Sequence, residues 1–290
     1  MTTMLASQKL AEKLSEASVR LYYSALEAVP MPDSLSKNEW YTAPELMTLF
    51  GQPEWETLTL DEKRILSFYE AVNFYSLNIN GEKALIEGLA KRLYDNARPS
   101  EHSRYIHHFL DEENKHMTFF GTFCMKYAGK VYQDRKFSFE REYQEGEEEF
   151  LFFLKVFIFE EVADFFNVKM SHDERLTETA RKINYYHHLD ESRHLAFGRA
   201  HLKEVWDKHS STWGDDYKTN LETYIGQYLV STWREYYNPD VYADAGIVNP
   251  YDVAERVFHS ETAQVFRRNV SETLISYMKK CGIVSREFSL

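Results

Sequence analysis

The sequence predicts an all-α protein: four long helices arranged as two antiparallel hairpins, with additional helices on the N- and C-terminal sides. Three observations carry this expectation. Eleven Gly and seven Pro in 290 residues leave little to interrupt a helix, and the prolines bunch at 30–53, 99 and 239–250. Between them, apolar residues recur in steps of three and four over long stretches. No segment of useful length alternates apolar and polar residues as a half-buried strand would.

A first amphipathic helix is expected over about 4–28, ending before Pro30. Residues 30–57, with Pro32, Pro44 and Pro53, form a connector that holds one short helix. A long helix starts at Thr59-Leu-Asp-Glu62, where the Thr59 hydroxyl and the Glu62 carboxylate can satisfy each other's free backbone N–H groups. It runs to about Asn96, because Arg98-Pro99 breaks it. The next helix spans Ser100 to about Ala128 and stops at Gly129, and a charged loop, 130–141, leads into a third over about 142–168. The acidic run at 145–149 reads as a solvated helix start, where negative charge suits the dipole. Ser171-His-Asp-Glu174 repeats the capping pattern and is expected to open a fourth helix, about 172–208. Two further helices cover about 215–237 and 251–280; Asn238-Pro239 stops the first and Gly282 caps the second. No Ser/Gly/Pro-rich linker divides the chain, so residues 1–290 read as one helical domain with its bundle core at about 59–208.

Composition narrows the function. With 43% apolar and 28% charged residues the chain is an ordinary globular sequence. A net charge of −12 opposes both a nucleic-acid groove and an anionic membrane surface, so neither partner is expected. No apolar run reaches the roughly 18 residues that span a bilayer, and MTTMLASQKLAEKL lacks the apolar core of a signal peptide. Two cysteines, Cys124 and Cys281, cannot supply a Zn or Fe–S ligand set, and they suit a reduced cytoplasm, the expected location. The 20 Phe and 20 Tyr suit thick helix packing and are not evidence of function.

The chemistry lies on the core stripes. In the first long helix the stripe reads Ile65, Phe68, Val72, Tyr75, Ile79, Glu82, Ile86, Leu89, Leu93; in the second, Ile106, Phe109, Glu113, His116, Phe120, Phe123, Tyr127. A buried carboxylate without a partner is costly, so Glu82 and the Glu113/His116 pair need a reason to be there. In the fourth helix His187, Glu191 and His194 fall within roughly 60° on the wheel, whereas His188 turns about 100° away from His187. E-x-x-H occurs at Glu113/His116 and again at Glu191/His194, and a lone Glu stands 31 residues before each pair, at Glu82 and Glu160. Two lone Glu and two Glu-x-x-His pairs facing inward form the carboxylate-bridged di-iron or di-manganese arrangement of ferritin-like bundles. Carboxylate and imidazole suit two Fe ions, with Mn as the alternative, and four carboxylates would neutralise two divalent ions. Gly81, costly inside a helix, is either a local widening beside the metal or a feature without function.

Asp190-Glu-Ser-Arg193-His194 has the D-E-x-R-H form common in dioxygen-activating di-iron proteins. By that resemblance Asp190 orients His116 across the bundle. The matching run Glu112-Glu-Asn-Lys115-His116 has Glu112 in place of the Asp and Lys115 in place of Arg193. With His187-x-x-Asp-Glu-x-Arg-His194, the upstream E-x-x-H and the pair in FIFEEVADFF, residues 60–205 resemble the p-aminobenzoate N-oxygenase family of di-iron arylamine oxygenases. The resemblance implies a third histidine ligand at His187, and hence the set Glu82, Glu113, His116, Glu160, His187, Glu191 and His194. Glu161 lies on its own apolar line, and only the 31-residue spacing favours Glu160. Asp164 reads equally as a group behind the ligands or a plain polar residue. His188, His107, His108, His201 and His209 read as structural or solvent-facing. Tyr75 and Tyr186 enter only as neighbours of the proposed ligands, and Cys124 reads as a small core residue.

The implied function is a di-iron oxygenase that activates O₂ to oxidise a small organic substrate, N-oxygenation of an aromatic amine being the expected reaction. The alternatives are a di-iron hydroxylase or desaturase acting on carbon, a non-enzymatic ferritin-like metal-binding protein, and a helical interaction protein without metal. Electrons must come from an external donor, since no flavin fingerprint or Fe–S cysteine set is present. A homodimer is an allowed assembly.

Overall fold

The computed structural model describes residues 6–94, 100–134 and 142–290. The helices are α1 (Ala6–Arg20), α2 (Ala25–Ala28), α3 (Pro53–Thr57), α4 (Leu60–Lys91), α5 (Ser100–Phe123), α6 (Glu147–Ser171), α7 (Glu178–His209), α8 (Asp215–Tyr236), α9 (Pro239–Asp244), α10 (Pro250–Phe258) and α11 (Glu261–Lys280). A 3-10 turn lies at Pro44–Leu46, and a π-helical segment, Cys124–Ala128, extends α5. Among the described residues there is no strand, only a bridge between Trp40 and Leu176. No described helix is long and apolar enough to cross a membrane.

Helices α4 and α5 pair as one hairpin and α6 and α7 as the other, with α4 also meeting α6 and α5 meeting α7. This is the ferritin-like four-helix arrangement. α1 lies across α5 and α7, α9 and α8 pack on α4, and α11 packs on α6. The start of α4 follows from local chemistry: Thr59 N–H donates to the Glu62 carboxylate at 2.8 Å, and Glu62 N–H donates to the Thr59 hydroxyl at 3.3 Å. At the end of the π segment Gly129 takes φ +70°, a left-handed stop that a side chain would strain.

Several boundaries differ from the sequence expectation. The first helix is interrupted after Arg20, where the chain turns inward and the Tyr23 hydroxyl reaches Asp190 at 2.7 Å. α4 ends at Lys91, and the break expected at Arg98-Pro99 lies outside the described residues. α7 is capped by Thr177, whose hydroxyl accepts from Ala180 N–H at 3.3 Å, not by the Ser171 pattern. There α6 continues through Ser171, and Asp173 is held by Arg175, which also pairs with Glu45. The last stretch is three helices, because Pro239 starts α9 and Ser260 caps α11. The acidic run is only partly solvated: Glu147 is buried, and Glu149 pairs with Arg92 at 2.6 Å and His201 at 2.8 Å.

The apolar core is split in two. One cluster joins Phe68, Val72 and Tyr75 to Phe120, Phe123 and Phe166. The other joins Leu85 and Leu89 to Ile106, Phe109, Phe153 and Phe197. Each fully buried large apolar side chain contributes about 1.5–3 kcal/mol. Between the clusters runs a belt of buried carboxylates and histidines.

Candidate metal centre

The belt draws on all four long helices: Glu82 from α4, Glu113 and His116 from α5, Glu160 from α6, and His187, Glu191 and His194 from α7. None is more than 4% exposed. Their donor atoms converge in two groups, Glu82 with His116 and His187, and Glu113 with Glu160, Glu191 and His194, each within 4.8 Å. The groups adjoin. His116 Nδ1 lies 3.4 Å from Glu113 and 3.6 Å from Glu191, while His194 Nδ1 lies 2.8 Å and 3.4 Å from the same two carboxylates. His187 Nε2 lies 3.0 Å from Glu191 and 3.7 Å from Glu82. Of the adjacent pair on α6, Glu160 enters the belt and Glu161 turns to Arg199.

Each of the three histidines is held from behind. His116 Nε2 lies 3.1 Å from Asp190, His194 Nε2 lies 2.9 Å from Glu112, and His187 Nδ1 lies 2.8 Å from the Asn167 amide. A carboxylate accepting from one ring nitrogen fixes the tautomer and leaves the other nitrogen's lone pair facing inward. Arg193 bridges both outer carboxylates, donating to Glu112 at 2.6 Å and to Asp190. It serves both halves of the belt, because Lys115 pairs with Asp111 at 2.5 Å. Phe109 stacks on His194 with ring centres 3.8 Å apart, and Phe120 stands edge-on to His187 at 4.9 Å.

The inner atoms have no such partners. Both oxygens of Glu82 and Glu113, one oxygen each of Glu160 and Glu191, and Nδ1 of His116 and His194 are buried without a hydrogen bond. Burial pushes the Glu82 and Glu160 carboxyls well above the usual range, reinforced by the Glu113 charge at Glu82 and the Glu191 charge at Glu160. At Asp190 burial acts the same way, but the His116 hydrogen bond and charge outweigh it and hold the carboxyl at about 2. Burial opposes charge on His116 and His194 too, yet the surrounding carboxylates raise both above the ordinary imidazole range. Four carboxylates stripped of water and crowded together are stable as anions only if cations sit among them. The unpaired inner atoms and the oxygen-and-imidazole chemistry therefore fit two divalent ions of the Fe or Mn kind.

The sequence reading missed Tyr23, which backs Asp190, and Asn167, which backs His187. Tyr23 sits on an interrupted segment with no periodic signal. Asn167 follows Glu160 by seven positions, on the same helical face, and that polar intrusion was a usable sign. His188 is outside the belt, its Nδ1 2.7 Å from Asp164.

Comparison with known proteins gives the family. The family model described as P-aminobenzoate N-oxygenase AurF matches residues 5–282. The chain belongs to the AurF family. As a member of the AurF family it is an oxidoreductase of the di-iron oxygenase type, with a carboxylate and histidine belt suited to that cofactor. Among curated proteins no relative matches it. Two solved structures resemble the AurF-family chain, both variants of an R2-like ligand-binding oxidase with an anaerobically reconstituted Mn/Fe cofactor. Each is 14% identical and covers 99% of this chain and 96% of its own, with TM-scores of 0.50 and 0.49. At that identity the likeness concerns the fold.

Proposed function

We propose that this AurF-family protein uses a pair of iron ions to N-oxygenate a small aromatic amine toward hydroxylamine, nitroso or nitro products. The observation that carries the reading is the set of inward-facing, unpaired donor atoms on four helices. In this reading Glu82, His116 and His187 would hold one ion, and Glu160 and His194 the other. Glu113 and Glu191, each close to both His116 and His194, would be available to both ions. Manganese suits the same donors.

When bound, the ions supply Lewis acidity and the electrons with which O₂ is activated. The chain supplies the setting. Asp190 and Glu112 keep a proton on Nε2 of His116 and His194, so both rings present Nδ1 inward. For His187 to present Nε2, Nδ1 must carry the proton and the Asn167 oxygen, otherwise unpaired, must face it; rotating the amide seats it there. Arg193 neutralises the two outer carboxylates and holds them away from the inner set. Phe109, Phe120 and the flanking apolar clusters exclude water, which strengthens every electrostatic contact inside. Electrons arrive from an external donor, and the two free cysteines suit a reduced compartment such as the cytoplasm.

The test is anaerobic Fe(II) loading with metal quantification, followed by O₂ uptake with an electron donor, with and without arylamine. Loading of about two ions per chain is expected, with amine-dependent uptake and isotopically labelled oxygen recovered on nitrogen. Label on carbon would replace N-oxygenation by hydroxylation. Iron loading far beyond a pair without amine-dependent uptake would indicate storage.

A further inference from the structure

A small cavity adjoins the candidate ligands. Besides five of them, its walls are Asn78, Leu85, Phe159 and Ala163. Its volume is about 10 Å³, room for one water-sized group and not for an aromatic ring. An amino group fits; the rest of an arylamine must take space that a side chain now fills.

Asn78 supplies the first half of the inference. It is 1% exposed, and its Nδ2 donates to the Phe74 carbonyl at 2.8 Å, which fixes which way round the amide sits. Oδ1, the end left for the cavity, is buried and has no partner. An unpaired buried acceptor costs about 1–3 kcal/mol, and a leucine of similar size would avoid that cost. A donor arriving in the cavity removes it.

Phe159 supplies the second half. It is half-buried, whereas every other wall residue is buried, so it is the wall that meets solvent. The ring rests on bare backbone: a Cβ added at Gly81 would come within 2.7 Å of it. Gly81 thus keeps a slot one aromatic ring thick beside Glu82, which explains a glycine inside α4. Four of the walls are carboxylates, and among the described residues that line the cavity none is Lys or Arg.

We propose that this cavity is the substrate site, and that it takes an uncharged aryl amine. The amino N–H donates to Asn78 Oδ1. The aryl ring takes the slot over Gly81 that Phe159 occupies, and Phe159 swings toward solvent. A ligand carboxylate, such as that of p-aminobenzoate, finds no Lys or Arg among these walls to pair with, and the four wall carboxylates already balance the ions. The proposal rests on the metal-centre reading above.

The experiment titrates aniline and p-aminobenzoate calorimetrically into anaerobic, Fe(II)-loaded protein, with metal content measured on the same samples. Wild type, Phe159→Ala and Asn78→Leu are compared. Wild type is expected to bind aniline at least about tenfold more tightly than p-aminobenzoate, because the unpaired ligand carboxylate is penalised. Phe159→Ala, with the slot already open, is expected to tighten aniline binding about tenfold. Asn78→Leu is expected to weaken it about tenfold, the worth of one hydrogen bond. Equal or tighter binding of p-aminobenzoate by wild type overturns the proposal. So does unchanged aniline affinity in either variant. Protein that holds its metal pair and binds no aniline refutes this site alone, whereas protein that holds no metal refutes the reading beneath it as well.

Discussion

His187 and His188 are adjacent in the chain and about 100° apart around the helix, and that rotation separates their chemistry. His187 is buried, its pKa pushed down by burial, with Nε2 toward Glu191 and Glu82. His188 is 35% exposed, and its hydrogen bond to Asp164 raises its pKa. Accordingly, His194→Ala or Glu113→Ala is expected to abolish stoichiometric metal binding, while His188→Ala leaves it near wild type. Equal losses from His187→Ala and His188→Ala in a metal titration would sink the assignment. A second residue makes a pH prediction. Burial pushes the Glu70 carboxyl from 4.5 up to about 7, against hydrogen bonds from the Thr48 hydroxyl and N–H. The folded chain thus holds this proton more tightly than the unfolded one. Its contribution to stability is complete below about pH 4.5 and is lost as pH rises through about 7. Urea denaturation of metal-free protein at several pH values across this window should show a decline that Glu70→Gln lessens by on the order of 2–3 kcal/mol. A profile indifferent to the substitution would refute it.

At the scale of the element, two similar capping patterns met different fates. Thr59 and Glu62 cap α4 because both partners lie within one turn and each satisfies the other's backbone N–H. At Ser171 the same pattern is not used: Asp173 is engaged by Arg175, Arg175 reaches Glu45 on the connector, and α7 begins at Thr177 instead. Thr177→Ala should therefore cost about 1 kcal/mol, whereas Ser171→Ala should stay within about 0.5 kcal/mol. Chemical denaturation of the two variants decides between the caps, and the reverse order would restore the Ser171 start. The stripes of α4 and α5 were legible because apolar residues marked one face. Helix α6 is apolar on most sides through FIFEEVADFF, so periodicity alone could not say which of Glu160 and Glu161 points inward.

For the whole molecule, the belt divides two apolar clusters that only the folded chain brings together. Ions that bind this belt and not the unfolded chain stabilise the fold, by about 2.7 kcal/mol at a hundredfold excess over Kd. We propose that residues 1–290 unfold as one domain. Scanning calorimetry of metal-free and Mn(II)-loaded protein should then show a single transition that moves to higher temperature on loading. Two separate transitions would refute the single domain, and an unmoved midpoint would refute binding at the belt.

The sequence alone determined the four long helices and their order, the inward faces of three of them and the donor types, because these follow from backbone periodicity and residue chemistry within a few turns. The equal spacing from Glu82 to Glu113 and from Glu160 to Glu191 carried the bundle's pairing, since each hairpin must return to the same level. Tertiary structure decided the rest. It placed Glu160 inward by giving Glu161 to Arg199, and it put Asn167 behind His187 and Tyr23 behind Asp190. It also seated Phe159 on Gly81 beside the unpaired Asn78 oxygen. These contacts join residues far apart in the chain, and the roll of one helix against another is set by packing over its whole length.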